Sequence, residues 1–96
     1  MEKLLLLQSL CKCSLNITIN LHKDYYQSAE SYLKELKLIE QIDNDDIDEE
    51  TIQKMIEKDK IVQIQCYPDT PVGSYSIYHY DLETALDLMI KTIQNP

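Results

Sequence analysis

Two histidines, three cysteines and one dense run of carboxylates are the side chains of this 96-residue chain with chemistry to offer. His22 and His79 are the histidines, and acid–base catalysis by either needs a partner within hydrogen-bond reach, which no local sequence pattern supplies. Cys11, Cys13 and Cys66 are odd in number and two stand one residue apart. They make no disulfide framework and are expected as reduced thiols of a cytoplasmic protein. Cys66 is a nucleophile only if a histidine approaches it; otherwise it is a buried, inert thiol. Cys11-Lys-Cys13 offers two soft ligands without the second pair that zinc requires. No catalytic residue, metal or cofactor is assigned, and the chain is expected not to be an enzyme.

The carboxylate run is Asp43-Asn-Asp-Asp-Ile-Asp-Glu-Glu50, six acids in eight residues. A calcium loop of the EF-hand type starting at Asp43 needs glycine at its sixth position and glutamate at its twelfth; Asp48 and Lys54 stand there instead. Frames starting at Asn44 or Asp45 lack the glycine too. Two readings remain. The run is a solvated loop that caps the following helix, or it imitates a phosphate backbone and occupies a basic groove on a partner through Asp43, Asp45, Asp46, Asp48, Glu49 and Glu50.

Net charge excludes other classes. The chain carries −8, and all nine of its basic residues are lysine. Phosphate affinity comes mainly from Lys and Arg, and without Arg there is no bidentate fork for phosphate or guanine, so neither direct nucleic-acid binding nor an anionic membrane is expected. Gly73 is the only glycine, so no phosphate-cradling loop exists. The apolar run Leu4 to Leu7 is broken by Gln8 and Ser9, too short for a membrane span or a good signal peptide.

These side chains must be positioned by elements the sequence marks plainly. Residues 61–80 read as a hairpin: two alternating runs flank Pro68, Asp69, Pro71 and Gly73. With Tyr67 opposite Ser74, Cys66 faces Tyr75, Ile64 faces Ile77 and Val62 faces His79. One face then carries Val62, Ile64, Cys66, Tyr75, Ile77 and His79; a one-residue slip would bury the polar set instead. Residues 15–21 alternate as a third strand, with Leu15, Ile17, Ile19 and Leu21 on one side.

Asp24, with Gln27 as its reciprocal partner, is expected to cap a helix reaching about Gln41, with Tyr25, Ala29, Tyr32, Leu33, Leu36 and Ile39 inward. Asp48 is expected to cap a helix over 49–58 with Ile52, Met55 and Ile56 inward. Asp81 caps a last one, 82 to about 94, whose stripe of Leu82, Ala85, Leu86, Met89 and Ile93 is widened by Leu88 and Ile90. Residues 1–13 form a short helix or strand capping the core. One domain follows, α+β: a two-layer sandwich with a three-stranded, largely antiparallel sheet and helices on one face, in the order β-α-α-β-β-α after the N-terminal segment.

That arrangement leaves the opposite sheet face open. Asn16, Thr18, Asn20, His22, Gln63, Gln65, Tyr67, Ser76, Tyr78 and Tyr80 are expected on it, uncharged and tyrosine-rich, a composition resembling protein-binding surfaces. Asn16, Asn20, Gln63, Gln65, Tyr67, Tyr78 and Tyr80 are the candidate contacts there. The expected function is a non-enzymatic protein-interaction module whose partner has a basic surface. The alternative is a homodimer, a small-ligand-binding or structural subunit with the open sheet as its own interface. In general character, short, acidic, and rich in Ile and Lys without Arg, the chain is similar to small phage or mobile-element proteins that inhibit host nucleic-acid enzymes. That resemblance implies an anti-defence or DNA-mimic role and assigns no residue.

Overall fold

A computed structural model describes residues 2–11, 14–42, 47–67 and 73–95. The order is α1 (Glu2–Leu10), β1 (Ser14–Ile19), α2 (His22–Tyr25), α3 (Ala29–Glu35), α4 (Glu49–Lys58), β2 (Val62–Tyr67), β3 (Tyr75–His79) and α5 (Leu82–Gln94). The fold is α+β. Its sheet is an antiparallel meander with β2 between β1 and β3. Hairpin register is the one that alternation selects: Val62 pairs with His79, Ile64 with Ile77 and Cys66 with Tyr75. Across the other side of β2, Leu15 pairs with Cys66, Ile17 with Ile64 and Ile19 with Val62.

Val62, Ile64 and Cys66 turn their side chains under α1 and α5, where Leu7, Ala85, Leu86, Met89 and Ile90 complete one core cluster. The N-terminal segment is therefore a helix whose Leu7 is buried in the core. Lys3 reaches Asp87 at 2.9 Å and Glu83 at 3.5 Å, a solvent-exposed ion pair from α1 to α5 that contributes little beside the apolar packing. Leu88, expected to widen the inward stripe of α5, is exposed instead. Among the described residues no helix is long and apolar enough to cross a membrane.

Capping decides the helix ends. Asp48 accepts the Thr51 N–H at 2.7 Å and Asp81 accepts the Thr84 N–H at 2.9 Å, as their positions before apolar runs predict. The segment 24–41 departs from expectation. Ser28, not Asp24, is the cap, accepting the Ser31 N–H at 3.2 Å, and Asp24 lies inside the short α2. Tyr25 is exposed rather than core. At the other end Lys37 takes φ 62°, and Leu38 N–H donates to Leu33 O at 3.0 Å. This six-to-one bond closes α3 early and satisfies carbonyls that a longer helix would have used. Asp59 repeats the device for α4 with φ 48° and a bond from Lys60 N–H to Met55 O.

Cys11 and Cys66 form a disulfide, with 5.9 Å between their α carbons. The expectation of reduced thiols, and of Cys66 as an inert one, is thereby overturned. The end of α1 is brought over β2 by packing of residues 55 positions apart, and parity of the cysteine count carries no information about that approach.

Candidate protein-binding surface

The sheet face opposite α1 and α5 belongs to alternating residues of all three strands, but it is open only in part. Ala29, Tyr32, Leu33, Ile52, Met55 and Ile61 form a second core cluster, and Tyr78 and Tyr80 pack against it. The Tyr32 hydroxyl donates to Gln63 Oε1 at 3.2 Å, and Gln63 is buried. Lys58 Nζ lies 5.8 Å from the Tyr80 ring centroid, a cation–π contact. The expectation that the whole face is open therefore fails for Gln63, which is buried, while Tyr78 and Tyr80 are half-buried against that cluster. α3 and α4 cover that end, because each carries an apolar stripe that needs a surface to bury it.

What stays accessible is the end near the hairpin loop. Asn16, Tyr67 and Ser76 are exposed, and Gln65 is half-buried between them. Register brings them together: Asn16 pairs with Gln65 and Gln65 with Ser76, while Tyr67 follows two residues along the same face of β2. Tyr67 is 42% exposed, an aromatic ring in the open among uncharged amides and hydroxyls. Thr18 is half-buried. Asn20 leaves the strand at φ 60° with its Oδ1 buried and without a partner among the described residues.

His22, expected on the open face, is instead fully buried at 0% exposure. Its Nε2 lies 3.1 Å from Asp59 Oδ1, which also accepts the Ala29 N–H at 2.8 Å. The Ala29 bond, above all, holds the Asp59 carboxyl below the usual carboxylate range, helped by the nearby charges of His22 and Lys23. One carboxylate thus ties α2, the start of α3 and the end of α4. The pairing resembles the orienting half of a catalytic triad, but His22 Nδ1 is buried and has no partner among the described residues. Nothing in the sequence pairs residues 22 and 59; an Asp just past a helix end was the available signal.

His79 is a hydrogen-bonded residue at the core edge, as its register position predicts. Its Nδ1 accepts the Asp81 N–H at 2.9 Å and its ring stacks on Tyr80 at 4.3 Å. Burial pushes its pKa below the ordinary histidine value, against the opposing pull of Asp81 and Asp48.

Of the acidic run, Asp43, Asp45 and Asp46 lie outside the described residues. Asp48, Glu49 and Glu50 are exposed at the start of α4. Hydrogen bonds from the Thr51 hydroxyl and N–H hold the Asp48 carboxyl below the usual carboxylate range. Among the described residues no lysine pairs with these three carboxylates, so their charge faces solvent. Among the same residues no three His, Cys, Asp or Glu side chains converge to hold a metal ion. No protein-family model matches this chain, and neither does any curated protein or solved structure.

Proposed function

We propose that this protein is a non-enzymatic protein-interaction module that contacts its partner through Asn16, Gln65, Tyr67 and Ser76. The observation that carries the reading is Tyr67, an exposed ring on an uncharged patch of a chain whose net charge is −8. A rigid aromatic surrounded by amides loses little entropy on contact and adapts its hydrogen bonds to the partner. The two histidines support the same conclusion, since both are engaged in structural contacts away from that patch.

A second reading is favoured by the carboxylates of Asp48, Glu49 and Glu50, which pair with no lysine among the described residues: an inhibitor that occupies the basic groove of a host nucleic-acid-binding enzyme. The cytoplasmic placement expected from free thiols has lost that support, because a Cys11–Cys66 bridge fits an oxidising environment equally well.

Affinity capture with the tagged chain and its Tyr67→Ala variant tests the first reading. A partner held by the native chain in high salt and lost by Tyr67→Ala supports the patch; equal capture by both overturns it. For the second reading the variant is Asp48→Asn with Glu49→Gln and Glu50→Gln. Asparagine still caps α4, so the helix survives while its charge is removed. Salt-sensitive binding that this variant abolishes supports charge mimicry, and unchanged binding removes it.

A further inference from the structure

β1 is an edge strand whose outer side is set up for pairing. Asn20 N–H donates to Ile61 O at 2.9 Å, in the same register that pairs Thr18 with Gln63 and Asn16 with Gln65. Antiparallel ladders alternate, so these even-numbered residues direct their backbone groups to β2. Leu15, Ile17 and Ile19 consequently turn their N–H and C=O groups outward, and among the described residues no strand lies beside them. The opposite edge offers less. On β3 only Ser76 and Tyr78 point outward by the same alternation, and α4 packs against that strand.

Edge strands of monomeric proteins usually carry a charge, a proline or a bulge that prevents pairing. From Ser14 to Leu21 there is no charged residue and no proline, in a chain that is 27% charged. The ladder to β2 runs through all six residues of β1 without a bulge. Ile19, on the helix-side face of the sheet, is left 48% exposed.

We infer that β1 pairs antiparallel with β1 of a second copy of this chain about a twofold axis at Ile17, joining two three-stranded sheets into one of six strands. Three features select a second copy as the occupant. The register is self-complementary: Ile17 meets the second copy's Ile17 and Leu15 meets its Ile19, so apolar side chains lie beside apolar ones. On the other face Asn16 meets Thr18, so polar lies beside polar. Charge also fits, because two strongly acidic chains can approach without placing like charges in contact only along a charge-free line, and β1 supplies it. The twofold closes the assembly at two copies. This pairing places Asn16 beside the seam but leaves Gln65, Tyr67 and Ser76, on β2 and β3, free on both copies, so it does not rest on the protein-binding reading.

Sedimentation velocity on the native chain, from about 1 μM to about 1 mM, with amide hydrogen exchange at both ends of that range, tests the pairing. A non-reducing gel confirms that any dimer is non-covalent. The expected result is a reversible dimer in which the amides of Leu15, Ile17 and Ile19 become protected as it forms. Ile19→Lys places a charge on the edge and should raise the dissociation constant at least about tenfold while leaving the melting temperature unchanged at concentrations where both chains are monomeric. A monomer throughout that range overturns the inference. So does a dimer in which those three amides exchange as fast as in the monomer, a measurement that needs no variant to fold.

Discussion

The Tyr32 hydroxyl donates to Gln63 Oε1 at 3.2 Å, and Gln63 Nε2 donates onward to the Tyr78 hydroxyl at 3.4 Å. This polar chain runs from α3 through β2 to β3, and burial of Tyr32 and Gln63 leaves their bond little competition from water. Tyr32→Phe leaves Gln63 Oε1 without its donor and should lower stability by about 1–2 kcal/mol in urea titration. Tyr25→Phe, on an exposed ring, is the matched control and should change nothing measurable.

The same burial makes the fold sensitive to alkali. Burial raises the hydroxyl pKa of Tyr78 and of Tyr32 above 10.0, with the Tyr78 and Tyr26 charges raising Tyr32 further. The folded state therefore favours the protonated phenols. Their contribution is fully present below the ordinary tyrosine value and is lost as pH rises past it toward the folded values. Absorbance titration should show a late tyrosinate component that shrinks in Tyr78→Phe.

His79 acts at the acidic side. Its Nδ1 accepts the Asp81 N–H, so the folded ring is neutral with its proton on Nε2, and burial depresses its pKa below 6.5. The unfolded chain binds the proton more readily. Stability should be fully present above the ordinary histidine value and fall as pH drops through it toward the folded pKa. Urea midpoints at about pH 7.5 and about pH 5.5 should differ in that direction, and His79→Gln should flatten the difference.

The Cys11–Cys66 bridge closes a loop with a sequence separation of 55. Constraining a denatured chain of that length corresponds to about 4 kcal/mol in the chain-entropy account. Reduction should shift the urea midpoint down accordingly. Thiol titration of denatured, unreduced protein should find only Cys13, and after reduction all three cysteines. Three thiols before reduction would refute the bridge.

Much of the binding surface was legible in sequence and part of it was not. Asn16, Gln65, Tyr67 and Ser76 share a face because strand side chains alternate, and that follows from the residue pattern alone. Gln63, Tyr78 and Tyr80 obey the same alternation, yet α3 and α4 bury them to different degrees. An amphipathic helix announces that it must pack; its pattern does not say on which side of a sheet. His22 shows the limit more sharply, since it reads as a continuation of β1 and is buried in α2 against Asp59.

By itself, then, the sequence determined the α+β class, the hairpin register and the caps at Asp48 and Asp81. Each of these rests on interactions a few residues apart or on a period-two pattern that only one register can bury. Tertiary structure alone decided that Cys11 meets Cys66, that Asp59 gathers three helices, and that half of the polar sheet face is covered. Those outcomes depend on how remote elements stack, and several stackings satisfy the same local patterns, so only the packed whole selects among them.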